Sequence, residues 1–150
     1  MIANQKSDLS SFLTEGRQEC LVSFDCLSIG NIVHDSKDKL YISDVPDEPG
    51  AYKIILEYEG VCYVYVGESK SVRNRFKNYR NPNVSQKTSM RIHKKIDNIL
   101  KNGGNAEMFI VSKGYADKKK LNLGLKSNRV LLESLILLEV KNSDCTVLNK

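Results

Sequence analysis

Tyrosine, valine, isoleucine and leucine recur at alternate positions through AYKIILEYEGVCYVYVGE, residues 51–68, on both sides of Glu59-Gly60. This is the pattern of two β-strands joined by a tight hairpin turn. A two-residue turn would place Tyr58 opposite Val61, Leu56 opposite Tyr63, Ile54 opposite Tyr65 and Tyr52 opposite Gly67. With a side-chain period of two, Tyr52, Ile54, Leu56 and Tyr58 share a face with Tyr63, Tyr65 and Gly67. Tyr52 and Tyr65 then become diagonal neighbours, about 7–8 Å apart at the backbone. Gly67 opposite Tyr52 is expected to leave open space for a ligand.

The period changes after Gly67. In SKSVRNRFKNY, Val72, Phe76 and Tyr79 fall on one face of a helix that Ser69 or Ser71 can cap, and Asn81-Pro82-Asn83 ends it. A second helix is predicted in TSMRIHKKIDNILKNGG, capped by Thr88 or Ser89, striped by Ile92, Ile96, Ile99 and Leu100, and stopped at Gly103-Gly104. AEMFIVSK reads as a third strand, GYADKKKLNLGLK as a polar connection, and SNRVLLESLILLEV as a last helix capped by Ser127. The predicted order is β-β-α-α-β-α. It implies an α+β fold with a small, mainly antiparallel three-stranded sheet flanked by helices. Residues 1–45 read as an N-terminal extension, helical or irregular, that opens with a short helix from Ser7 or Asp8 and serves packing or an interface. Residues 46–150 form the main domain.

Charge sharpens this picture. Residues 1–60 hold 5 basic and 11 acidic side chains, residues 68–101 hold 10 and 2, and residues 102–150 hold 8 and 5. A positive middle is the footprint of a polyanion partner, and also of a plain solvated helix face. The 150 residues suit one domain with a real core. No apolar run is long enough for a membrane span, and the start lacks the layout of a signal peptide. Cys20, Cys26, Cys62 and Cys145 have no paired C-x-x-C spacing. Zinc and a disulfide framework are not expected. Reduced, buried thiols in a cytoplasm are.

Glu133 stands out on the last helix because Val130, Ile136 and Leu137 are its neighbours three and four residues away. A carboxylate in such surroundings needs a cation or hydrogen bonds. Arg129, one turn earlier, can supply a plain ion pair. A hard divalent ion is the functional alternative. His93 reads as a surface residue, and Lys118-Lys119-Lys120 as a solvated charge run.

Gly50-Ala51-Tyr52 followed by Tyr65-Val66-Gly67 resembles the signature of the GIY-YIG nucleases. The resemblance extends to Arg75, ten residues after Tyr65, to Tyr79 four residues later, to Glu133 on a later helix and to Asn149 near the end of the domain. YVGESKSVRNRF is especially similar to the incision module of the bacterial excision-repair nuclease. The match covers about residues 46–150. Ala51 and Val66 depart from the usual isoleucines without consequence. Glu68 stands where some members carry lysine, which leaves any role of that lysine to Lys70.

The resemblance implies an endonuclease that hydrolyses DNA phosphodiester bonds. One Mg²⁺ or Mn²⁺ would sit on Glu133, Arg75 would brace the transition state and a tyrosine would take the proton of water. Tyr52 and Tyr65 both qualify as the base, and Tyr79 as a phosphate ligand. A tyrosine, with a reference pKa of about 10, needs nearby positive charge for that task, which the basic helix supplies. Arg73, Lys77, Arg80, Lys87, Arg91, Lys94 and Lys95 would then hold the DNA backbone without reading sequence. A restriction or defence enzyme, a phage or mobile-element enzyme, and a small repair nuclease all fit, with or without homodimerisation. The rival readings are a non-catalytic nucleic-acid-binding module on the same fold and a protein whose basic stripe meets an acidic partner.

Overall fold

The computed structural model describes residues 15–150. The short helix expected from Ser7 or Asp8 lies almost wholly outside them. The strands are β1 (Val22–Asn31), β2 (Val33–His34), β3 (Leu40–Tyr41), β4 (Gly50–Tyr58), β5 (Val61–Ser69), β6 (Asn105–Ala116), β7 (Lys119–Lys120) and β8 (Thr146–Val147). The helices are α1 (Val72–Arg80), α2 (Lys87–Lys101) and α3 (Lys126–Lys141).

The hairpin forms in the predicted register. Tyr58 faces Val61, Leu56 faces Tyr63, Ile54 faces Tyr65 and Tyr52 faces Gly67. Glu59 and Gly60 take φ of 49° and 75°, the left-handed pair that matches the twist of a two-residue hairpin. β6 adds antiparallel to the other edge of β4.

The sheet is larger than the three strands expected. It has six, in the order β1-β6-β4-β5-β8, with β7 paired to β6. Residues 22–31 of the expected helical or irregular extension are a strand, antiparallel to β6. The polar connection after β6 folds back on it as β7. The tail returns as β8, parallel to β5. β1 carries register shifts between Asp25 and Leu27 and between Ser28 and Gly30. Such bulges break the period-two pattern that would have marked it as a strand.

Each face of the sheet has its own core. Tyr52, Ile54, Leu56, Tyr65 and Met108 pack with Val72, Phe76 and Tyr79 of α1 and Ile92, Ile96 and Ile99 of α2. Ala51, Val64, Val66 and Val111 pack on the opposite side with Leu132, Ile136 and Val140 of α3. The helix faces are those the apolar spacing predicts. Two of the caps differ. Ser71 caps α1 by accepting from the Asn74 N–H at 3.2 Å, whereas α2 and α3 start after Gln86 and Leu125, with no side-chain cap bond.

Two cysteines correct the expectation of reduced, buried thiols. Cys62 of β5 and Cys145 before β8 form a disulfide. Cys20 and Cys26 are free and exposed. The parallel tail brings together two residues 83 positions apart, a proximity that no local spacing encodes. Among the described residues no helix is long and apolar enough to cross a membrane.

Candidate active site

The expected tyrosines, Arg75 and Glu133 converge where β4 begins and β5 ends, beside α1. Tyr52 and Tyr79 are both 0% exposed, and their hydroxyls meet at 2.5 Å. Tyr65 completes a triangle of rings. Its centroid lies 6.5 Å from that of Tyr52 and 6.2 Å from that of Tyr79, and Tyr52 and Tyr79 lie 6.3 Å apart. Edge-to-face and tilted arrangements of this kind place the positive rim of one ring against the negative face of the next. The Tyr65 hydroxyl has no hydrogen-bond partner among the described residues. Because no fully buried side-chain polar atom lacks a partner, that hydroxyl is open to solvent.

Gly67 makes the triangle possible. A Cβ built on it would collide with the hydroxyl and Cζ of Tyr52. The space opposite Tyr52 is therefore filled by the Tyr52 ring itself, which corrects the expectation of room for a ligand. Gly50 plays the same part on the other side of β4, where a Cβ would strike the Val111 carbonyl.

Arg75 is half-buried and within electrostatic reach of Tyr52, Tyr79, Tyr65 and Glu68. Burial pushes the Tyr52 phenol far above its usual range, the neighbouring Tyr65 adds to this, and Tyr79 and Arg75 pull the other way. Burial also raises the Tyr79 phenol, with Tyr52 and Tyr65 adding to it and Arg75 opposing. Arg75 thus favours the charged form of the two tyrosines that the core disfavours.

Glu133 of α3 is half-buried. Burial and the nearby Glu68 raise its carboxyl, while Arg75 and Lys126 lower it. It has no hydrogen bond or salt bridge among the described residues. Arg129, the candidate for a plain ion pair with it, is used elsewhere. Arg129 is 6% exposed and donates through Nε to Glu68 Oε2 at 2.7 Å. It also donates to the carbonyls of Leu123 and Gly124, at 3.0 and 3.1 Å. The Glu68–Arg129 pair joins residues 61 positions apart, which no local spacing predicts. The departure at Glu68 was its only sign. A lone, solvent-reachable carboxylate suits a hard cation that keeps most of its waters. The described residues hold no cluster of three or more His, Cys, Asp or Glu side chains able to enclose a metal.

Asn149 reaches the same region from the tail. Its amide accepts from the Val66 N–H at 2.9 Å and donates to the Val66 carbonyl at 2.7 Å. A side chain here imitates a paired strand and fixes the residue between Tyr65 and Gly67. His93, expected at the surface, is half-buried, with Nδ1 2.5 Å from the Tyr79 carbonyl. It ties α2 to the end of α1.

The basic residues divide. Lys70 is exposed beside Arg75, and Lys77, Lys87 and Lys94 are exposed on the helices. Others are engaged within the fold. Arg73 Nε donates to the Val45 carbonyl at 2.8 Å. Arg80 pairs with Asp35 at 2.7 Å and donates to the Leu40 carbonyl. Arg91 donates to the Leu148 carbonyl at 2.8 Å. Lys95 Nζ lies 4.0 Å from the ring centroid of Tyr63.

No protein-family profile matches the chain, and no curated protein does. Among solved structures, a mutant of EndoII from bacteriophage T4 is similar at 17% identity. The match covers 75% of this chain and 88% of that one, with a TM-score of 0.53. At that identity the likeness is one of fold, and the chain shares the fold of phage T4 EndoII.

Proposed function

We propose that the protein is a metal-dependent endonuclease of the GIY-YIG type that hydrolyses DNA phosphodiester bonds. The reading rests on one observation above all. Tyr52, Tyr65, Tyr79, Arg75 and Glu133 come from both strands of the hairpin and two helices, yet gather at one end of the sheet. The fold shared with phage T4 EndoII supports it.

Tyr65, as its phenolate, takes the proton of the attacking water and becomes the neutral phenol, with the Arg75 cation nearby to balance the phenolate charge. Its hydroxyl can meet a water without breaking an existing bond, whereas the Tyr52 hydroxyl is buried against Tyr79. Arg75 presents its planar donors to the phosphoryl oxygens as charge grows on them. Tyr79 holds Tyr52 in place, and Tyr52 sets the tilt of the Tyr65 ring. Glu133 would hold the Mg²⁺ or Mn²⁺. That ion, when bound, supplies a Lewis acid for the leaving oxygen and the phosphoryl oxygens. Glu68, kept in place by Arg129, shapes the charge around Glu133. Exposed Lys70, Lys77, Lys87 and Lys94 hold the DNA backbone by charge, and Arg73, Arg80, Arg91 and Lys95 use donors left over from their contacts within the fold.

The test is cleavage of plasmid and single-stranded DNA with Mg²⁺ and with Mn²⁺. Wild type should cut, and Arg75→Ala and Glu133→Ala should each lose roughly a hundredfold or more in rate. A wild type that cuts nothing, or two variants that cut normally, overturns the reading. Salt-sensitive DNA binding without cleavage would point to the binding module instead.

A further inference from the structure

α1 has two polar sides with different fates. On one, Arg73 and Arg80 are drawn into bonds with Val45, Asp35 and Leu40. On the other, a groove of about 490 Å³ opens to solvent beside Arg75. Lys70, Asn74 and Asn78 line it, spaced four residues apart. At its rim Ser71 donates to Asp47 at 2.5 Å, so these two side chains are satisfied by each other. The carboxamides of Asn74 and Asn78 have no partner among the described residues. An i,i+4 pair points in nearly the same direction from a helix. The groove is therefore lined by two cations, Lys70 and Arg75, by one carboxylate, Asp47, and by two idle amides.

Lysine and arginine bind phosphate without regard to sequence, but an asparagine amide matches the paired acceptor and donor of an adenine edge. We propose that this groove receives the DNA strand next to the cleaved phosphate, and that Asn74 and Asn78 read the flanking bases and prefer adenine. This rests on the nuclease reading and deepens it. The occupant is a DNA strand because Arg75 itself lines the groove and its two cations outnumber its one carboxylate. The two asparagines are specificity residues and take no part in bond cleavage.

The experiment maps cut positions on duplex DNA with randomised flanks, by sequencing the product ends, for wild type, Asn74→Ala, Asn78→Ala and Asn74→Gln. Wild type should cut with a bias toward adenine near the cut. Each alanine variant should reduce the ratio of best to worst sites about tenfold, and Asn74→Gln, which keeps the amide, should retain part of the bias. Alanine favours a helix over asparagine, so the variants should melt no lower than wild type, which excludes misfolding as the cause. A wild type that cuts without bias overturns the proposal. So does a bias that survives both alanine changes, and in both cases the nuclease reading stands. No cleavage by the wild type with either metal overturns both.

Discussion

Tyr52 and Tyr79, 27 positions apart, share a hydrogen bond of 2.5 Å between two hydroxyls that water does not reach. Either oxygen can donate, and each leaves the other unsatisfied if it is removed. Tyr52→Phe or Tyr79→Phe should therefore cost about 1–3 kcal/mol of stability by stranding its partner. The double phenylalanine variant has no polar group left to strand. It should be more stable than the sum of the two losses predicts, and a urea-unfolding double-mutant cycle reads this directly. Additive losses would mean that the contact carries no coupling.

Gly67→Ala should drive a methyl group into the Tyr52 ring. Overpacking a core in this way costs about 1–3 kcal/mol. Shrinking the ring relieves the clash, so Gly67→Ala combined with Tyr52→Ala should lose less than the two changes measured apart. Denaturant midpoints of the four proteins check it. A Gly67→Ala variant as stable as wild type would show that the ring moves aside without penalty.

The Glu68–Arg129 pair adds a polar link between β5 and α3 near Glu133. Arg129→Met leaves Glu68 without its bonded partner, with Arg75 as the cation still in electrostatic reach, and two carbonyls without their donor. Removing one partner of a fully buried pair costs about 3–5 kcal/mol; with Glu68 half-buried and Arg75 near it, the loss should fall below that, which thermal unfolding measures. Glu68→Gln has a separate signature. Glu68 raises the carboxyl of Glu133, so its neutralisation should let Glu133 titrate at lower pH in a ¹³C NMR titration. Because a raised carboxyl pKa favours the protonated form, wild-type affinity for Mn²⁺ should fall as pH drops through that range, and the fall should begin at lower pH in Glu68→Gln. An unchanged Glu133 titration would deny the interaction.

Peptide mapping without reductant should find Cys62 linked to Cys145, with Cys20 and Cys26 open to alkylation. The bond spans 83 positions, so reduction should lower stability by about 2–4 kcal/mol through a freer unfolded chain. If dithiothreitol leaves the unfolding midpoint unchanged, the staple contributes nothing to the fold.

The parts that could be read from the sequence are those in which a local rule coincides with tertiary demand. The β4–β5 register follows from Glu59-Gly60 and strict alternation, and it alone sets Tyr52 beside Tyr65. The apolar stripes of α1 and α2 announce their buried faces. What escaped depends on distant partners. β1 has bulges and many exposed positions, so its pattern is weak, and only pairing with β6 makes it a strand. β7 and β8 have two residues each and no period at all. Arg129 has a carboxylate one turn away in sequence, yet it selects Glu68 across the layer interface, because the buried side of α3 faces β5. Gly67 marks a gap opposite Tyr52, but a gap seen in sequence does not say what fills it.

Asn149 has a consequence for how this protein meets its neighbours. Strands at the border of a sheet invite extension by other chains. On the β5 side, β8, the Leu148 N–H donated to Val64, and the Asn149 amide occupy the outward backbone groups from Tyr63 to Val66. A foreign strand cannot add there without first peeling off the tail. Among the described residues the other border belongs to β1, whose two register shifts twist it out of line. The molecule thus covers the margin of β5 beside its tyrosines with a two-residue strand and one side chain, and exposes an irregular margin at the far side of the sheet.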